Sequence, residues 1–319
     1  MDSASTLDTP DRHAGRAAEH WADHVRRLNA ASVKKHYDAF ADIPWDDPAF
    51  AIDPDDARWE YFTDPLGATP WYRAQTPGVR SRMGLYHCAS AMKAGLQFEN
   101  ILKRGLLAWA AGLSNGDPAF RYAYHEVIEE SHHGLMFQEF INRAGFDVPG
   151  MHWSHRAAAA GLLLAGRFLP EYLFLFALGG ESPLDHMQRT SLRDDPRIHP
   201  LLERIFRHHV TEEARHISFA RRYLAEHLPQ RGPLRRALFA VVAPVVLGIM
   251  SRLSVESSPD LLAHFGVPPE VAREAYTDNP GHAATAREAV RPVLQVVRDA
   301  GLTPASTRWL WRAFSLWED

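Results

Sequence analysis

An all-α fold, a four-helix bundle core with extra N- and C-terminal helices, follows from three features of the sequence. From Val79 onward apolar positions recur at helical spacing, and no segment shows the alternation of a strand. Clusters of Pro, Gly, Asn and Asp cut that stretch into long segments. Four of these segments carry Glu and His at matched positions, the arrangement of a bundle whose facing helices share an interior site.

Taken in order, residues 1–30 read as a loose polar arm running into a helix around Ala17 to Phe40. Ile43 to Pro77, rich in Pro, Asp and aromatics, reads as an irregular wrap. A long helix is expected from Arg80 to Ala111, stopped by Ser114-Asn115-Gly116-Asp117-Pro118. A second runs to Ala144 and ends at Gly145. After a connection over Phe146 to Trp153, a third begins near His155 and breaks between Leu192 and Pro196. A fourth runs to about His227. Further helices are expected near Pro233 to Leu253, Pro268 to Tyr276, His282 to Asp299 and Ser306 to Trp317. Residues 31–319 thus form one domain, with the chemistry expected in about 80–227.

Composition narrows the function classes. A chain of 319 residues, 46 % hydrophobic, buries a sizeable core. A net charge of −4 gives no electrostatic footprint for nucleic acid or an anionic membrane. The single cysteine, Cys88, excludes an intramolecular disulfide and a cysteine-rich zinc site, and fits a reducing cytoplasm. The first 20 residues lack the apolar core of a secretory signal. Ala157 to Gly180 is interrupted by Arg167, Pro170 and Glu171, and Ala237 to Met250 is short and contains Pro244, so both read as buried helices rather than membrane spans.

Two Glu-x-x-His motifs, Glu130-Ser131-His132-His133 and Glu213-Ala214-Arg215-His216, lie on expected helices. Residues i and i+3 share a helix face, so both side chains of a motif reach one metal ion. One such motif is weak evidence, and Glu129-x-x-His132 fits the first as well. The spacing is stronger. Glu99 precedes Glu130 by 31 residues, Glu181 precedes Glu213 by 32, and each interval has a helix breaker near its middle. At about 1.5 Å rise per residue, each fold-back brings the lone Glu level with its Glu-x-x-His to within about a turn. Two such hairpins make a four-helix cage for two metals.

Burial points the same way. Phe98, Leu96 and Leu102 surround Glu99, and Glu181 follows the apolar run EYLFLFALGG. A lone carboxylate there is costly unless protonated or paired with a cation. Four carboxylates balance two divalent ions. His209, four residues before Glu213 and seven before His216, lies on the same face as both and adds a seventh donor. Oxygen and imidazole donors without thiolate favour iron, with manganese as the other candidate, over structural zinc.

These segments, FEN at 98–100, IEESHH at 128–133, GGES at 179–182 and HHVTEEARH at 208–216, resemble the p-aminobenzoate N-oxygenase family of ferritin-like di-iron enzymes. The resemblance covers about residues 80–225. It implies Glu99, Glu130, His133, Glu181, His209, Glu213 and His216 as ligands of two iron ions, and selects Glu130 and His133 over the alternative register. It further implies O2 as co-substrate and oxidation of a small amine, particularly an arylamine, at nitrogen. In the wider di-iron superfamily the acid preceding a ligand Glu orients a ligand histidine of the opposite hairpin, which makes Glu129 and Glu212 supporting acids and Arg215 their counter-charge. C–H hydroxylation or desaturation by the same cage, and non-enzymatic iron binding or radical generation, are the alternatives. No flavin or nicotinamide fingerprint is present, so an external electron donor is expected.

Elsewhere Gly179-Gly180-Glu181-Ser182-Pro183 predicts a kink or π-bulge at Glu181, against a helix end at Gly180. His125, His132, His186 and His208 read as structural or surface histidines, and Tyr122 and Tyr124 as packing residues. Trp309, Trp311, Phe314 and Trp317 are expected to dock the last helix on the bundle or to form a homodimer face.

Overall fold

Proline opens every long helix of this protein, because the first helical position needs no N–H donor and the ring presets φ. In the computed structural model, which describes residues 10–60, 64–159 and 161–317, the long helices are α1 (Pro10–Lys34), α2 (Pro77–Ala110), α3 (Pro118–Ala144), α4 (Pro170–Asp194), α5 (Pro200–His227), α6 (Pro233–Val255) and α7 (Pro280–Asp299). No strand occurs among the described residues. The fold is all-α, consistent with a ferritin-like bundle.

Helices α2 and α3 form one hairpin and α4 and α5 the other, and the two pack together as the four-helix core. Asp117 starts α3 by accepting the Ala119 N–H, and Gly145 ends it in the left-handed conformation, φ 74°. α1 lies across α3 and α5, whereas α6 and α7 cover α4. Two apolar clusters result. Phe98, Trp109, Phe174 and Phe219 belong to the one beneath the C-terminal helices. Phe137, Phe140, Met83 and Ile205 belong to the other, beneath the irregular wrap. Phe98 adjoins Glu99 and Phe137 lies one turn beyond His133, so the expected site sits between the two clusters.

Several boundaries depart from the sequence reading. The expected arm over residues 1–30 is helical from Pro10 onward, and residues 1–9 lie outside the described residues. The first helix stops at Lys34 rather than Phe40. There the Tyr37 N–H is taken by the Glu212 carboxylate, 2.9 Å away, and Asp38 accepts from the Phe40 and Ala41 amides. The expected third helix is interrupted at Leu169, between the helical residues Trp153–Ala159 and Gly161–Phe168 and the start of α4, since Pro170 cannot continue a preceding helix. Residues 268–276 form a short helix, Pro269–Ala272, and a π-helical turn, Arg273–Thr277. Of the kink or π-bulge expected at Glu181, the π-bulge is not found: α4 runs through Glu181 and Pro183 as α-helix, and it does not end at Gly180. The two glycines also serve packing. A Cβ on Gly180 would meet the Phe98 ring at 2.4 Å, and one on Gly179 would press on Met250 of α6.

At the C-terminus Trp311 is fully buried, Trp317 lies beneath Arg298 with the guanidinium 4.3 Å from its ring centroid, and Trp309 is exposed. Pro233–His264 is long and apolar enough to cross a membrane by length and composition, and half of its most apolar window is buried in the fold.

The wrap is anchored by buried Trp45, Trp59, Leu66 and Tyr72, and its closest approach is to α2. A Cβ on Gly84 would lie 1.6 Å from the Trp59 carbonyl oxygen. Backbone on both sides leaves nothing that can swing away. Gly84→Ala is therefore expected to lower stability by about 3 kcal/mol or more. A thermal melt checks this, with Gly161→Ala, whose Cβ meets nothing within 4 Å, as control. A melt unchanged in Gly84→Ala would contradict this account of the wrap.

Candidate metal centre

Each helix of the core supplies at least one acidic or imidazole group to a single interior region. Glu99 comes from α2, Glu130 and His133 from α3, Glu181 from α4, and His209, Glu213 and His216 from α5. None of the seven is more than 3 % exposed. Their donor atoms fall into two groups, each within 4.8 Å: Glu99, His133 and His209 in one, and Glu130, Glu181, Glu213 and His216 in the other. Glu130 faces both, with one oxygen 3.4 Å from His133 Nδ1 and the other 3.1 Å from His216 Nδ1. Glu213 Oε1 lies 3.5 Å from each of His133 Nδ1, His209 Nε2 and His216 Nδ1. His209 Nε2 also lies 3.6 Å from Glu99. All seven residues singled out in the sequence are thus brought together.

Around them is an outer layer with approximate two-fold symmetry. His133 Nε2 hydrogen-bonds Glu212 at 2.9 Å, and His216 Nε2 hydrogen-bonds Glu129 at 2.8 Å, each across to the other hairpin. A carboxylate at Nε2 holds the proton there and turns the Nδ1 lone pair inward. Arg215 lies 2.8 Å from Glu129 and 3.7 Å from Glu212, offsetting both acids. Its Nε donates to Ser32 Oγ of α1. The ambiguous register resolves in space: Glu130 and His133 face the interior, Glu129 faces His216, and His132 accepts from the Ala39 amide outside it.

Charge is concentrated here to an extent that burial alone does not tolerate. Burial, reinforced by Glu130, raises the Glu99 carboxyl well above its usual range, and burial with Glu213 does the same for Glu181. Glu213 is raised by burial and Glu130. Burial works against charging His133 and His216, yet surrounding carboxylates raise both well above the usual imidazole range. Glu130 goes the other way: burial opposes its ionisation, and the neighbouring His133 and His216 imidazoles outweigh that to hold it low. His209 is driven low by burial and by the charge of His133, so its ring is neutral.

The donor set fits two cations. Both oxygens of Glu130 and of Glu181, one oxygen each of Glu99 and Glu213, and Nδ1 of His133 and His216 are buried without any hydrogen bond. Unsatisfied buried polar atoms are rare, because each forfeits its hydration. A cluster of them directed at common points is what metal coordination satisfies. Two divalent ions would neutralise the four interior carboxylates, and the mix of carboxylate and imidazole suits iron or manganese.

Sequence reasoning missed several contributors. Glu126 is 2 % exposed, and its carboxyl is raised to about 8, by burial first and then by Glu130, Glu213 and Glu129 against the pull of His216. Tyr122, Glu126, Glu130 and His133 recur every three or four residues, an inward stripe that helical periodicity alone could have revealed. Lys103, four residues after Glu99, donates to the Glu130 carbonyl at 3.2 Å. Among the remaining histidines, His208 is buried and stacks on Tyr37 at 3.9 Å. Tyr122 is buried against Phe219, and Tyr124 is exposed.

Comparison with known proteins agrees with this geometry. The family model described as p-aminobenzoate N-oxygenase AurF matches residues 19–301. An uncharacterized protein of Mycobacterium tuberculosis is 36 % identical over 293 residues, 92 % of this chain and 86 % of the relative. One of Mycobacterium bovis, also uncharacterized, is 35 % identical over the same shares. No solved structure matches the chain.

Proposed function

Because the chain belongs to the p-aminobenzoate N-oxygenase family, we propose that it is an O2-dependent di-iron oxygenase that oxidises the nitrogen of a small amine, of arylamine type. The observation that carries this reading is the pair of buried donor groups whose carboxylate and imidazole atoms have no other partner. Glu99, His133 and His209 would hold one ion, Glu181 and His216 the other, with Glu130 and Glu213 facing both. Iron bound there supplies the electrons that activate O2.

The chain's own groups do the rest. Glu212 and Glu129 keep the Nε2 protons of His133 and His216 and aim each Nδ1 inward. Neutral His209 offers Nε2 without adding charge. Phe98 and Phe137 close the interior on either side with apolar surface, which excludes water from a reactive centre. For oxidation of an amine to a hydroxylamine, one oxygen atom goes to nitrogen and the other leaves as water, consuming two electrons and two protons. With no flavin or nicotinamide fingerprint in the sequence, those electrons come from an external donor.

Metal analysis of the purified chain, followed by reduction and exposure to 18O2 with an aromatic amine, tests this. The expected result is two irons per chain and label on the product nitrogen. Label on carbon, or a dehydrogenated product, would favour hydroxylation or desaturation by the same cage. Absence of bound iron would sink the oxygenase reading altogether.

A further inference from the structure

A cavity of about 130 Å³ lies beside the cage, under the wrap and between α2, α4 and α5. Phe137 and Leu184 line it on the inner side. The Phe137 ring sits 5.3 Å, centroid to centroid, from that of His209, so one side chain separates the cavity from the donor groups. Gln188 lines it too, seven residues after Glu181 and therefore on the same face of α4, about 10 Å further along. An amine seated past Phe137 would direct its opposite end toward Gln188.

The groups at that end have a definite polarity. Gln188 is 2 % exposed, and its side-chain oxygen has no hydrogen-bond partner. A buried amide oxygen left unpaired calls for a donor, which a ligand carboxamide N–H supplies and an ionised carboxylate cannot. The charged lining residues are already engaged. Arg58 is held by Asp56 through two hydrogen bonds, and Glu60 pairs with Arg80 at 3.3 Å. Asp64 accepts from the Leu66 amide, Ser257 and Tyr276. With Asp195, the described lining holds three carboxylates against one committed guanidinium. His87 adds no charge, because burial lowers its pKa. A carboxylate entering here would meet net negative charge and no available cation.

We infer that this cavity is the substrate site, and that it takes an aromatic amine bearing an uncharged hydrogen-bonding group such as a carboxamide opposite the nitrogen, paired with Gln188, and rejects a carboxylate there. The inference rests on the proposed amine oxidation only for which end of the substrate faces the cage. It departs from an aminobenzoate substrate.

Calorimetric titration of the metal-free chain with 4-aminobenzamide, 4-aminobenzoate and aniline tests it without turnover. The amide is expected to bind at least about tenfold tighter than the acid, as a site with a buried polar group discriminates against a ligand that cannot pair with it. Gln188→Leu is expected to remove the advantage of the amide over aniline, and Gln188→Arg to bring the acid level with the amide or above it. Equal or tighter binding of the acid to the parent chain overturns the inference, as does an amide-to-aniline ratio unmoved in Gln188→Leu. No binding of the amide also overturns it. The parent ratio alone decides if neither variant folds. If the ranking holds but no N-oxygenated product forms, the cavity assignment stands and amine oxidation falls. If amines are N-oxygenated with the acid preferred, the reverse holds.

Discussion

Glu130→Ala is expected to empty both metal positions rather than one. The two oxygens of Glu130 face His133 and His216 separately, at 3.4 and 3.1 Å, and each of those histidines belongs to a different donor group. Losing this carboxylate removes an oxygen donor from both groups and one negative charge from the four that offset two divalent ions. The outer acids hydrogen-bonded to the two histidines give a scale. Loss of an outer partner such as Glu129 typically weakens metal binding about 10–100-fold, and loss of a shared donor exceeds that. Metal analysis after exhaustive dialysis would show a near-stoichiometric drop from two irons per chain in Glu130→Ala, with a helical circular-dichroism spectrum retained. Retention of two irons would rule out the shared role. Retention of one would assign Glu130 to a single ion.

The metal-free protein is expected to lose stability as pH rises from about 6 to 8.5, with bound metal reversing the trend. Glu99, Glu181, Glu213 and Glu126 all have folded-state carboxyls raised by burial and by one another. A raised acid stabilises fully below its unfolded value and loses that contribution as pH climbs through the folded one. For Glu126 the window runs from the ordinary 4.5 to about 8. His133 and His216, also raised, act in the same direction above their ordinary 6.5. Glu129 and Glu130 are depressed and contribute the opposite trend, but only in acid. Each proton released on unfolding contributes about 1.4 kcal/mol per pH unit, so two pH units for a single proton lower the melting temperature by roughly 5 °C. Metal ions bind the deprotonated donors, and their stabilisation grows with pH. Thermal melts of chelated and iron-loaded protein across this range check both slopes. A flat profile for the chelated form would mean that the buried acids keep their ordinary affinities.

The cage was legible in the sequence because its information is local. Glu213 with His216 is set by helical periodicity, Glu130 with His133 by periodicity and the family resemblance together, and Glu99 and Glu181 by counting residues through a Pro-marked turn. The supporting acids, Glu129 and Glu212, are implied by the resemblance to the wider di-iron superfamily, and each meets a histidine of the opposite hairpin. What could not be read depends on contacts distant in sequence. Ser32 meets Arg215 across 183 residues, and Tyr37 meets Glu212 across 175. The same limit applies around Glu181. Gly179 and Gly180 look like accommodation for Pro183 until Phe98 and Met250 are seen resting against them. Gly84 gives no local sign that the Trp59 carbonyl will press on it.

Those long-range contacts bear on how the protein can be handled. A fragment trimmed to the stretch that carries every interior donor would keep all seven and still be defective. It would lack the hydroxyl that steadies Arg215 and the backbone amide that pins Glu212, so both imidazoles would be left with looser tethers. The segment that carries Ser32 and Tyr37 therefore behaves as a clasp on the outside of the bundle. Proteolysis within that segment would register at the centre of the molecule.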